Sequence, residues 1–392
     1  MRGFGIILLL LKRGIEVGIS LQKIFLVGLI LSVSLSSTVG AAAPKEETGM
    51  STGTTLIWLN DADLNARLKD IKASGAEWVR LDFSWQAIQP DNYNNYHWGQ
   101  YDKAINAIAS HKLKTLAVLT YTPAWAREPR CQALTQSDRC NPRSNTEFGR
   151  FAWASVIRYR NKGVHTWEIW NEPNLTGHWK TALPNKHIVA DPVAYARMAT
   201  AAAKEIRRHD SKSYIVTGGL APMFEPTPLR GVRQSDYLAK ILPLLDRKLF
   251  NAVGVHPYSW PKMPATTADW NAFYTVNNGP ARYNLRKVMA HCGWGDKPIW
   301  GTEFGASTQG KRTKIASNGA RPDHVSEYTQ AAIIKQGVEF WYKKKNVGPI
   351  FVHSDSDEWL PERKNEGGFG LRRENGTKKP SYDAFKYVNQ QL

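Results

Sequence analysis

Strand-like and helix-like runs alternate along this chain from residue 54 to its end, and that alternation restricts the fold more than any other feature. A weak first strand is expected at Thr54–Leu59, with Asp61 or Asp63 capping an amphipathic stretch to Ser74. "WVRLDFSW" (78–85), "TLAVLTY" (115–121) and "TWEIWN" (166–171) are rich in β-branched and aromatic residues, as strands are. Further strands are expected in "YIVTGGL" (214–220), "AVGVHPY" (252–258), "PIWGTEF" (298–304) and "PIFVHSD" (349–355). Helical patterns separate them at about 99–111, 146–160, 192–209, 235–246, 281–291 and 324–345, and a last one spans 381–390. Strands that alternate with helices form a parallel sheet. Eight such units suit a closed (β/α)₈ TIM barrel in one domain over 44–392. An open doubly wound sheet is the other architecture with this order, but no Gly-rich phosphate loop follows the first strand.

Composition agrees with one large core. Of the 392 residues 42% are apolar, and 15 are Trp. Most of these indoles belong in the interior, and about a third are expected to face a cleft, where flat indole faces suit apolar ligand surfaces. The N-terminus has the order of an export signal. Lys12, Arg13 and Lys23 precede an apolar run from Ile24 to Leu35, and small residues lead to Pro44. Residues 1–43 are expected to be a signal peptide cleaved near Ala41 or Ala43, or else a retained membrane anchor. That directs the chain to the periplasm, the cell surface or the outside. The formal charge is +18, and residues 44–392 keep +15 of it. Such a surface favours polyanions, and an acidic polysaccharide fits better than nucleic acid because no nucleic-acid motif is present. Cys131 and Cys140, with eight residues between them in a polar loop, suit a disulfide in an exported protein; Cys292 is left over.

Polar residues gather where catalytic groups of a barrel sit, at the C-terminal ends of strands. Strand two carries Arg80 and Asp82. Strand three runs into Tyr121 and the turn holding Trp125. Strand four ends in Asn171 and Glu172, strand six in His256 and Tyr258, strand seven in Glu303. Strand eight ends in His353, with Trp359 close behind. Two carboxylates on one rim are what glycosidic bond cleavage needs: a protonated one for the departing oxygen and an ionised one facing the anomeric carbon. Arg80 can hold one ionised, and an apolar or like-charged setting can keep the other protonated. Glu168 shares its parity with Glu172 and is expected one layer deeper, paired with an inward cation; Asp82 is given the same structural role. Trp125, Trp179, Trp260 and Trp359 lie in rim loops, and two of them are expected to stack on sugar rings.

"EIWNEPN" (168–174) and "IWGTEFG" (299–305) resemble the strand-four and strand-seven motifs of the clan A retaining glycoside hydrolases. "VRLDFSW", "YTPAWA" and "VHPYS" are similar to the neighbouring rim motifs. The likeness runs over residues 54–390 and is nearest to family 39 and the PslG-like endoglycosidases. It implies that Glu172 is the acid/base, that Glu303 is the nucleophile, and that anomeric configuration is retained. It further implies that Asn171 holds a sugar hydroxyl, that Arg80 and Tyr258 contact the nucleophile, and that His256 lines the site. The added β-sandwich of xyloside-cleaving members is not expected in this chain. The loop 131–140 and the tail 353–371 are not clan-wide features.

The expected function is hydrolysis of O-glycosidic bonds in a poly- or oligosaccharide by a monomer. No cofactor and no metal is expected, since acetal hydrolysis needs only acid, nucleophile and water. A non-catalytic polysaccharide-binding barrel and a transglycosylase are the competing expectations. The first would bind glycan after loss of either Glu; the second would lengthen an added acceptor sugar.

Overall fold

The computed structural model describes residues 47–392, except 132, 186, 224–225, 228, 267–283, 312–322 and 359–363. The expected export segment and Trp359 therefore lie outside the described residues. Eight parallel strands run β1 Thr48–Ser51, β2 Trp78–Ser84, β3 Lys114–Thr120, β4 Thr166–Asn171, β5 Tyr214–Gly219, β6 Val253–Val255, β7 Ile299–Phe304 and β8 Val347–His353. Their order around the sheet is β5-β4-β3-β2-β1-β8-β7-β6. Parallel bridges Val216–Ala252 and Leu220–Val255 join β5 to β6 and close the ring. Outside it lie α1 Asp61–Ala73, α2 Gly99–Ser110, α3 Asn145–Tyr159, α4 Pro192–His209, α5 Gln234–Ile241, α6 Leu285–His291, α7 Glu327–Tyr342 and α8 Pro380–Asn389. The architecture is a (β/α)₈ barrel, as the alternation requires. Among the described residues no helix is long and apolar enough to cross a membrane.

The helices start where side chains can satisfy their first amide groups. Asn60, Ser144, Asp191, Asn284 and Ser326 each accept a backbone N–H in the first turn of α1, α3, α4, α6 and α7. The cap of α1 is thus Asn60, and not Asp61 or Asp63. Pro192 and Pro380 stand at the first position of α4 and α8, where a missing N–H costs nothing.

The first strand departs from expectation. Thr54–Leu59 has the stronger β-propensity, yet Thr55–Trp58 forms a helical turn that buries Leu56 and Ile57. The strand is Thr48–Ser51 instead. Packing decides this, because Gly49 lies where any Cβ would come within 2.3 Å of the Phe351 ring and 2.9 Å of Trp78. A glycine that weakens a strand in isolation is what lets this one fit between its neighbours.

The barrel interior is layered. Its floor is apolar, with Trp78, Leu116, Tyr214, Val216, Trp300 and Phe351 in one buried cluster. Trp300 stacks on Tyr214 at 4.9 Å and meets Trp78 edge-on at 5.7 Å. Above it sits a polar layer of Arg80, Glu168 and Thr302, all buried. The rim comes next. A second, larger core fills the space between barrel and helices, and it takes Val79, Leu81 and Phe83 from β2 together with Ala104, Ile105 and Ile108 from α2. Most indoles are core: Trp85, Trp167, Trp170, Trp179, Trp294, Trp300 and Trp341 are fully buried. Their large apolar area outweighs any use as sugar platforms, so the expected third in a cleft is not found among the described residues.

The loop after β3 is closed by a Cys131–Cys140 disulfide with a Cα–Cα distance of 6.0 Å. It packs on a small antiparallel ladder, Thr181–Ala182 with Ile188–Val189. Cys292 is free. Thiol counting on unfolded, non-reduced protein should find one thiol; three would refute the bond. So short a loop stabilises by about 3 kcal/mol at most through chain entropy.

Candidate active site

Glu172 reaches the cleft by a route that simple alternation does not give. Trp170 and Glu172 both have left-handed backbones, with φ of 74° and 49°. Non-glycine residues seldom adopt that conformation, and it reverses the facing of the strand end. Trp170 turns outward onto Trp179, at 4.9 Å, and Phe148, at 6.0 Å. Asn171 and Glu172 then face inward. The bend is anchored by the Glu172 N–H, which donates to the Gly219 carbonyl at 3.0 Å. Gly219 must be glycine, since a Cβ there would lie 2.2 Å from His256 Nε2 and 2.4 Å from Thr302 Oγ1.

Arg80 organises the floor of the site. Its Nε donates to Glu168 Oε2 at 2.7 Å, its Nη1 to Glu303 Oε1 at 2.5 Å, and its Nη2 to Asn171 Oδ1 at 2.8 Å. Burial opposes its charge, but Glu168, Glu303 and Asp82 overcome that and hold it firmly protonated. Glu168 has the structural part expected of it. Besides Arg80 it accepts from the Gly219 N–H at 2.8 Å and Thr302 Oγ1 at 3.0 Å. Asp82 accepts from the Tyr121 hydroxyl at 3.2 Å, and burial raises its pKa to about 6.

Glu303 accepts from Tyr258 at 3.0 Å as well as from Arg80. Burial pushes its pKa up, but His256, Arg80 and His353 outweigh it and hold the carboxyl well below its usual range. Glu172 lies between two imidazoles. His256 Nδ1 is 3.0 Å from its Oε1, and His178 Nε2 is 3.2 Å from its Oε2. His256 Nδ1 is also 3.6 Å from Glu303 Oε2. One oxygen of each carboxyl and a ring nitrogen of His256 lie within 4.8 Å of one another.

This corrects one electrostatic expectation. Apolar surroundings do not keep Glu172 protonated in the free protein. Burial and the Glu303 charge raise its pKa, but His178 and His256 lower it further, so the net shift is downward. His256, buried beside both carboxyls, shifts upward. His178 carried no signal in the sequence. It lies six residues past Glu172 in a loop, and only the fold of Leu175–Trp179 turns it back.

The cleft above these groups has a volume of about 440 Å³, within the range of small-ligand sites. Tyr121, Asn171, Glu172, Tyr258, Trp260 and Glu303 all line it. His256 lies fully buried beneath, touching both carboxylates. Neither Trp125 nor Trp179 is among the residues that line this cleft. Trp125 donates its indole N–H to the Gln89 carbonyl at 2.9 Å and meets Trp85 edge-on. Trp179 is buried and donates to Asp191 O at 3.0 Å. Arg139, His178 and Phe369 line the cleft too, and the sequence did not single them out.

A closed barrel with two carboxyls across its C-terminal rim, on β4 and β7, defines a clan A glycoside hydrolase. The family described as Cellulase (glycosyl hydrolase family 5) matches residues 39–343, and the chain belongs to it. No curated protein matches the sequence. Among solved structures, a family 39 glycoside hydrolase from the gut symbiont Bacteroides cellulosilyticus WH2 is similar, with 18% identity and a TM-score of 0.62. That match covers 88% of this chain but only 63% of the other, so this chain spans less than two thirds of it. A monomeric β-xylosidase from Caulobacter crescentus CB15 shares 19% identity over 89% of this chain and 69% of its own, with a TM-score of 0.60. Xylanase 10B from Thermotoga petrophila RKU-1, in complex with xylobiose, shares 14% identity over 88% of this chain and 94% of its own, with a TM-score of 0.56. At these identities the likeness is one of fold.

Proposed function

We propose that the protein is an exported retaining glycoside hydrolase that cleaves a poly- or oligosaccharide through Glu303 as nucleophile and Glu172 as acid/base. The observation that carries this reading is the carboxyl pair, with one oxygen of each within 4.8 Å. Direct attack needs carboxyls about 5–5.5 Å apart, whereas a water-mediated inverting reaction needs roughly 6.5–9.5 Å. Glu303 attacks the anomeric carbon as the glycosidic C–O bond breaks, and the departing oxygen takes a proton from Glu172. Esterified Glu303 no longer carries charge, so it no longer favours protonation of Glu172. Glu172 then accepts a proton from water, which attacks the same carbon and releases Glu303. Arg80 and Tyr258 hold Glu303 ionised and aimed. Asn171, fixed by Arg80, presents its amide N–H₂ to a sugar hydroxyl. Tyr121 and Trp260 offer ring faces. The Cys131–Cys140 bond and the apolar N-terminal run support export.

Proton NMR of a cleaved polysaccharide, taken before mutarotation, should show a first-formed anomer of the same configuration as the bond broken. An inverted anomer would reject the double displacement. Lengthened products with added acceptor sugar would assign the same residues to transglycosylation.

A further inference from the structure

The wall of the cleft beside Glu172 carries a cation, Arg139, to which no carboxylate is hydrogen-bonded among the described residues. Arg139 lines the cleft on the disulfide-closed loop after β3. Its Nη1 donates to Gln136 Oε1 at 3.1 Å and to the Gly177 carbonyl at 3.0 Å, and lies 3.5 Å from His178 Nε2. Among the described residues its Nε and Nη2 make no hydrogen bond and no carboxylate pairs with it. The loop backbone is tied down on both sides. Arg139 O accepts from the Lys180 N–H at 2.9 Å, and Thr122 donates to the carbonyls of Asp138 and Cys140 at 2.6 Å each. The guanidinium is thus held in place before any ligand arrives, which reduces the ordering cost of binding. Lys180 and Arg127 stand behind it; among the described residues their hydrogen bonds go to uncharged oxygens, and Asp138 is the acid whose charge favours both.

The position has a direction. Oε1 of Glu172 faces His256 and Glu303, while Oε2 faces His178 and, beyond it, Arg139. The far side of the acid is where the departing sugar sits. Three strands further around the barrel, the wall behind β8 bears Glu358 and Glu366, which would repel an anion. We infer that Arg139 is a specificity residue for an anionic sugar, bearing a carboxylate or a sulfate, bound on the leaving-group side of the scissile bond. The inference rests on the glycosidase reading and names its substrate class. Guanidinium matches both oxyanions through paired N–H donors, and the overall charge of +18 draws polyanions to the surface.

The test compares polymers that differ only in charge. Wild type is assayed on polygalacturonate, alginate and hyaluronate, on their carboxyl-reduced forms, and on chondroitin sulfate before and after desulfation. Cleavage of at least one charged polymer, on the order of 10- to 100-fold better than its neutral form, is expected. Arg139→Ala should erase that preference, bringing the ratio of charged to neutral rates to about one, and Arg139→Lys should keep part of it. Arg247→Ala, which removes an exposed partner of Asp296, should keep all of it. The charged group of the preferred polymer distinguishes carboxylate from sulfate. Equal rates on charged and neutral forms, or an Arg139→Ala loss shared equally by both, overturns the inference. Should wild type cleave nothing, affinity electrophoresis in the same polymers still decides it. Charge-dependent retardation lost in Arg139→Ala but kept in Arg247→Ala upholds the anion site while the hydrolase reading fails, and equal retardation of the two variants rejects the site.

Discussion

Glu303→Gln should lower kcat/KM by at least about 10⁴-fold, or about 5.5 kcal/mol of transition-state stabilisation, for every substrate the protein cleaves. The amide cannot attack the anomeric carbon, so no glycosyl-enzyme forms. A better leaving group should not help, because the missing event is bond formation at carbon and not protonation of oxygen. Glutamine keeps the shape of the side chain, its amide oxygen can accept from Arg80 and its amide N–H₂ can donate to the Tyr258 hydroxyl oxygen, so the fold should survive. Circular dichroism and an unchanged melting transition would establish that. Mass spectrometry with a 2-deoxy-2-fluoro glycoside, if its sugar fits, should label wild type once and leave the variant unlabelled. A Glu303→Gln protein with more than about a hundredth of wild-type activity would remove Glu303 from the nucleophile's role.

Glu172→Gln should fail in another way. On a natural saccharide, whose leaving oxygen needs a proton, the loss should be on the order of 10²- to 10⁴-fold. On a nitrophenyl glycoside that fits the site, the first step should keep its rate within about ten-fold, since nitrophenolate departs without a proton. The glycosyl-enzyme should then accumulate, seen as a burst of nitrophenol followed by slow turnover. In Glu172→Ala, azide has room and needs no base, so added azide should restore turnover and give a glycosyl azide of retained configuration. The pH profile of wild type should be a bell with its optimum on the acid side of neutrality. Glu303 must be ionised, and because its pKa lies well below the usual range the rising limb falls at low pH. Glu172 must hold a proton, and because His178 and His256 lower its pKa the falling limb also lies at acidic pH. That falling limb should disappear for nitrophenyl glycosides in Glu172→Gln. If the Glu303 and Glu172 variants respond alike to leaving group and azide, the two roles have been assigned wrongly.

The alternation of periods was enough to place eight strand–helix units, because the period of apolar residues is written into short windows of chain. It was also enough to bring Glu172 and Glu303 to one rim, since strands of a parallel barrel all end on the same face. The clustering of Arg80, Asn171, His256 and Tyr258 beside them followed from the same rule. What the local pattern could not carry was anything set by contacts between distant segments. The β-prone stretch Thr54–Leu59 lost its place to Thr48–Ser51 because only Gly49 fits between Phe351 and Trp78. Trp179, foreseen as a platform in a rim loop, became core, since burial depends on which loop lies over it. Parity alone would place Trp170 with Glu168 inside the barrel. Left-handed turns at Trp170 and Glu172, held by the backbone of β5, send the indole outward and the carboxyl in. The two imidazoles that set the proton of Glu172, and Arg139 beyond them, come from three different loops. A sequence fixes which side chains exist and the rhythm in which they recur. The distance between two loops is set only when the barrel closes, and with it the charges that each carboxyl faces.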